Sequence, residues 1–89
     1  MKYTVEFSKL VFKSLKKIPK DEGKKILRKA EALITNPYPN GFKKIQGEEN
    51  LFRIRSGDYR ILYRVFEKKL VILVVNVGHR KDIYQSFVL

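Results

Sequence analysis

The sequence has no cysteine, a single histidine, and nine acidic residues against twenty lysines and arginines. Without cysteine there is no disulfide and no thiolate metal site, and one histidine cannot build a usual zinc centre. Nothing in this composition points to an oxidising compartment. The longest unbroken apolar run, Leu70 to Val75, is far too short to cross a bilayer. The opening stretch MKYTVEF alternates polar and apolar residues, unlike the continuous apolar segment of a signal peptide. There is no GxGxxG and no P-loop, and a triad of Ser56, His79 and Asp58 would need contrived geometry. A cytoplasmic protein is expected, with no cofactor, no metal and no membrane association.

What is present is positive charge. The 89 residues make one domain, 1–89, with 44% hydrophobic residues to form a modest core. A net charge of +11 draws in polyanions such as nucleic acid or an acidic protein. The cations are sorted by type. Residues 1–50 hold eleven lysines and one arginine, and residues 51–89 hold five arginines and three lysines. Lysine is a hydrated, flexible point charge, whereas arginine is a rigid fork that grips phosphate with two prongs. The first half reads as a coated surface and the second as a built site.

Periodicity gives the element order. Lys2 to Phe7 alternates as a strand, with Ser8 placed to cap a following helix. Leu10, Val11, Leu15 and Ile18 recur at helical spacing, and Pro19 either breaks that helix or opens the next. A second helix starts near Asp21 with a stripe of Ile26, Leu27, Ala30, Leu33 and Ile34, and ends before Pro37. Strands are expected at Phe42–Gln46, Leu51–Arg55, Tyr59–Phe66 and Leu70–Val77. The fold class is α+β in the order β-α-α-β-β-β, with a helical hairpin on one face of a mainly antiparallel sheet.

Gly57-Asp58 is a favoured two-residue hairpin turn. It sets a register in which Ser56 faces Tyr59, Arg55 faces Arg60, Ile54 faces Ile61 and Arg53 faces Leu62. Phe52, Ile54, Tyr59, Ile61, Tyr63 and Val65 then share the side that receives the helices. Arg53, Arg55, Arg60, Leu62 and Arg64 share the other. Like charges directly opposite destabilise a sheet, so the Arg55–Arg60 pair suggests an anion that bridges the two. If Lys68-Lys69 is the next turn, Arg60 faces Val77, and Gly78-His79-Arg80-Lys81 emerges beside the arginines. The floor there, Leu62, Leu73 and Val75, is apolar and needs a cover.

Arginines with one histidine and one tyrosine suit cleavage of RNA without metal. A base takes the 2′-OH proton, cations stabilise the phosphorane, and an acid protonates the leaving 5′-oxygen. Tyr84, favoured as an anion by nearby arginines, and His79, the one histidine of the chain, are rival bases.

The element order, the block RIRSGDYRILYRV and the block NVGHRKDIY together resemble the RelE/ParE superfamily of toxin–antitoxin toxins over nearly the whole chain. The resemblance implies one of two activities on a shared fold. RelE-like members are endoribonucleases that cut messenger RNA in the ribosomal A site, and ParE-like members poison DNA gyrase. By resemblance to the RelE-like pattern, Arg53 falls where a catalytic lysine stands, Arg60 matches a phosphate-stabilising arginine, and Arg80 matches one that stabilises the transition state or acts as acid. Tyr84 matches a tyrosine that serves as base and stacking platform. Arg55 matches a further basic position, and Arg64 and Lys81 extend the phosphate- and RNA-binding set. Two departures stand out: Leu51 replaces a lysine, and His79 stands where the pattern has another. The assignment of acid and base stays open between Tyr84 and His79.

Arg60, Arg80 and Tyr84 favour the nuclease branch over the gyrase branch. Leu51 favours a third reading, a basic binding module or decayed toxin. Implied partners are the ribosome, its messenger RNA and an acidic RelB-like antitoxin that covers the apolar floor with an amphipathic helix, the two chains forming a heterotetramer. With Leu89 only five residues past Tyr84, no long terminal helix is expected to cover that floor.

Overall fold

In a computed structural model, residues 2–83 are described. The elements are β1 (Thr4–Phe7), α1 (Lys9–Leu15), α2 (Lys20–Ala32), β2 (Lys43–Lys44), β3 (Leu51–Ser56), β4 (Tyr59–Phe66) and β5 (Val71–His79). Apart from the two-residue β2, they follow the expected β-α-α-β-β-β order. The five strands form one sheet in the order β1-β5-β4-β3-β2. β1 runs parallel to β5, and every other neighbouring pair is antiparallel.

Pro19 both ends the first helical segment and opens the second. It occupies the N-cap of α2, and its carbonyl accepts the Gly23 N–H at 2.9 Å. Asp21 and Glu22 in the first turn of α2 suit the positive end of its dipole. The two helices cover one sheet face. Val11 of α1, with Ile26, Ala30 and Leu33 on or just beyond α2, packs against Ile54, Ile61, Tyr63, Val65, Ile72, Val74 and Val77. Burial of such side chains stabilises a fold by about 1.5–3 kcal/mol each before entropy is counted. Buried Tyr63 donates its hydroxyl to the Pro37 carbonyl at 2.6 Å, pinning the loop after α2 to the middle of the sheet.

The β3–β4 register is the one the Gly57-Asp58 turn dictates, from Ser56↔Tyr59 to Leu51↔Arg64. Gly57 has φ +60°, a backbone shape that costs glycine nothing and suits the leading residue of a tight hairpin turn.

Three boundaries differ from expectation. β2 is only Lys43–Lys44, shorter than 42–46, because the chain turns on both sides of it. The β4–β5 connection is a four-residue turn over Glu67–Leu70, with Leu70 at φ +54°. Lys68-Lys69 lacks the glycine, asparagine or aspartate that a tight primed turn requires. β5 starts one residue later than expected and runs to His79, with a register shift between Leu62 and Tyr63. Tyr63 pairs with Val74 but Leu62 pairs with Asn76, so Val75 is the extra residue of a bulge. Arg60 therefore faces Gly78, not Val77.

The apolar floor on the face away from the helices is partly covered by the chain itself. Leu51, Leu62 and Ile83 form a second buried cluster, with Ile45 and Val75 packed against it. Leu73 and Val75 stay half-buried.

Candidate nucleic-acid interface

The face away from the helices is built from cross-strand pairs, which place both partners on one side. Arg53 sits between Lys43 of β2 and Leu62 of β4. One step along, Arg55 faces Arg60, which in turn faces Gly78. These rows set Lys43, Arg53, Arg55 and Arg60 together.

Their depths differ. Arg53 is 5% exposed and set into the sheet surface, whereas Arg55 and Lys43 are exposed and Arg60 is half-buried. Lys29 of α2 donates its ammonium to the Arg55 carbonyl at 2.8 Å, which fixes the strand end without engaging the guanidinium. Gly78 presents no side chain toward Arg60. A Cβ there would come within 3.2 Å of the Ile83 side chain, so the glycine lets Ile83 close over the strand end.

Arg64 is on the same face but is already engaged. Its guanidinium donates to the Glu49 carbonyl and pairs with the Glu48 carboxylate at 3.1 Å. These contacts hold the loop before β3. Arg80 and Lys81 are exposed just past β5. The Arg80 N–H donates to the Asp58 carbonyl at 2.9 Å, so the β3–β4 turn anchors Arg80 near the Arg55–Arg60 row.

His79 goes elsewhere. The bulge sets it opposite Tyr59, a residue of the helix-bearing side, and the two rings meet edge-to-face at 5.8 Å. Its Nδ1 accepts the Lys81 N–H at 3.2 Å, so the neutral ring carries its proton on Nε2. It borders a groove of about 370 Å³ shared with Ser14, Lys17 and Asp82, not the arginine row. Tyr84 lies outside the described residues.

Lys43 is the cation that sequence reasoning missed. Its strand is two residues long, too short for alternation to mark a face. The available signal is the run Phe42-Lys43-Lys44-Ile45, in which apolar residues bracket two lysines. Leu51 supplies no cation; it lies across from Arg64 and is fully buried in the cluster with Leu62 and Ile83.

Comparison with known proteins gives the family of the chain. Residues 5–84 match the family model described as the ParE toxin of type II toxin–antitoxin systems, parDE. RelE1 of Methanocaldococcus jannaschii is 33% identical over 89 residues, covering 97% of this chain and 99% of its own. The mRNA interferase toxin RelE of Escherichia coli K12 is 26% identical over 92 residues, covering 99% of this chain and 96% of that protein. Among solved structures, the archaeal RelE–RelB complex from Pyrococcus horikoshii superposes with a TM-score of 0.78 at 33% identity, over 90% of this chain and 97% of that one. The family model bears the ParE name while these relatives bear the RelE name, and the superfamily embraces both. With that model spanning most of its length, this chain belongs to the RelE/ParE superfamily of type II toxin–antitoxin toxins and is RelE-like.

Proposed function

We propose that this toxin is an endoribonuclease that cuts messenger RNA on the ribosome, with the Arg55–Arg60 row as its phosphate clasp. The observation that carries the reading is that row: Arg55 and Arg60 stand directly across from each other, Arg53 and Lys43 lie along the same face, and the residue beyond Arg60 is a glycine, over which Ile83 closes. A sheet gains no stability from such a pair, and a bridging phosphate removes its penalty. The mRNA interferase name of the Escherichia coli relative supports the same reading.

In this mechanism the substrate supplies its own nucleophile. A base removes the 2′-OH proton, the 2′-oxygen bonds to phosphorus, and the P–O5′ bond breaks as an acid protonates the departing oxygen. The products are a 2′,3′-cyclic phosphate and a 5′-hydroxyl, and DNA, lacking the 2′-OH, is spared. Arg60 and Arg55 neutralise the phosphorane charge, Arg53 reinforces them from below, and Arg80 serves the leaving side. Tyr84 is the preferred base. His79, turned toward Tyr59, is less well placed. Lys81 and the lysine-coated helices bind RNA backbone. An acidic RelB-like antitoxin neutralises the toxin by covering the cations and the half-buried Leu73 and Val75.

Digestion of ribosome-bound messenger RNA tests this directly. Cuts with 5′-hydroxyl ends should appear with the parent chain and vanish in Arg80→Ala and Tyr84→Phe. Normal cutting by both variants would sink the assignment. The ParE description of the family model supports a second reading, a gyrase poison, which predicts trapped DNA breaks and no RNA products.

A further inference from the structure

We propose that Ser8, Ser14 and Asn76 are positioning residues that clamp the β5 bulge and so decide what lies beside Arg60. Ser8 holds the N-cap position of α1, yet its side chain makes no capping bond. Its hydroxyl instead donates to the carbonyl of Val75, the extra residue of the bulge, at 2.6 Å. Ser14, almost two turns further along the same helix, donates to Asn76 Oδ1 at 2.8 Å. That oxygen also accepts the Val77 N–H at 2.8 Å. Both consecutive residues at the register shift are thus gripped by hydroxyls from one short helix, and Asn76 is 6% exposed.

The register shows what the clamp does. From Phe66↔Val71 to Tyr63↔Val74 the paired numbers run in one frame, and beyond the bulge they run one residue further on. In the first frame, continued, Val77 would face Arg60 and put an isopropyl group beside the guanidinium. In the observed frame Val77 is 1% exposed in the helix-side core, and Gly78 faces Arg60. The shift also sets where β5 ends, and therefore where the Arg80 N–H meets the Asp58 carbonyl. A bulge costs ladder hydrogen bonds, and side chains aimed at its backbone restore part of them. The effect on chemistry rests on the nuclease reading above, whereas the effect on register does not.

The experiment uses the full chain with Ser14→Ala, Ser8→Ala and their combination, read by cross-strand NOEs and by RNA cleavage. Loss of the Arg60–Gly78 NOEs is expected, with kcat lowered about ten- to a hundredfold, the scale of a small misplacement of reacting groups. KM should change far less. Ser14→Thr, which keeps the hydroxyl, should restore both readouts. If the combined variant does not fold, Ser14→Ala alone carries the test. Retention of the Arg60–Gly78 NOEs in the folded variants would overturn the clamp, whatever the cutting rate. If the parent cuts no RNA the nuclease reading fails, and the NOEs still decide the register. A capping role alone for Ser8 predicts loss of α1 helicity with the β5 frame intact, which also overturns the proposal.

Discussion

Arg55 and Arg60 carry a conflict between stability and binding. Replacing Arg55 with threonine removes a like-charge cross-strand pair and adds a residue that suits a strand, while Lys29 keeps its bond to the backbone carbonyl. Urea denaturation should show a gain of about 0.2–1 kcal/mol. Affinity for RNA should fall in the same variant. Arg64→Ala separates the neighbouring roles. It breaks a partly exposed pair with Glu48, so denaturation should show a loss of up to ~1 kcal/mol, with RNA affinity little changed. A large fall in affinity would place Arg64 among the phosphate contacts instead. The Arg55–Arg60 facing was legible in the sequence because Gly57-Asp58 fixes a hairpin and alternation does the rest. The place of His79 was not legible, since the bulge that moves it is held by hydroxyls more than sixty residues away in the chain.

At the scale of elements, tyrosines tie the loop after α2 to the sheet. Tyr38 donates its hydroxyl to Glu67 at 3.1 Å, and its ring meets Phe42 and Phe52. Burial, then the hydrogen bond to Glu67 and that carboxylate's charge, push the Tyr38 phenol up from 10.0 to about 12. Burial drives Tyr63 upward as well. The folded chain therefore holds these protons more tightly than the unfolded one. Their contribution to stability is whole below pH 10; the Tyr38 part is lost as pH rises from there through about 12, and the Tyr63 part is lost at still higher pH. Denaturation followed across that window should show a steep fall, made shallower in Tyr38→Phe. Tyr63→Phe leaves the Pro37 carbonyl without its partner and should cost about 1–3 kcal/mol at neutral pH. The long elements could be read from periodicity, since α2 and β4 each present a clear apolar face. β2 could not, because two residues carry no period, and with it went Lys43.

At the scale of the whole molecule, charge dominates encounter. With a net charge of +11, RNA binding should weaken steeply and log-linearly as salt rises. A flat salt response would mean that contacts other than phosphate govern affinity. Among the described residues no helix is long and apolar enough to cross a membrane. The parallel pairing of β1 with β5 bears on how such a molecule forms. Thr4 through Phe7 find their strand neighbours at Val71 through Val74. Synthesis therefore leaves the first strand waiting until almost everything after it has been made, and the α1–α2 hairpin has to form with one sheet border still open. Long-range closure of this kind slows folding, and a chain interrupted before Val71 would present β1 as an unsatisfied edge, ready to recruit a strand from another molecule.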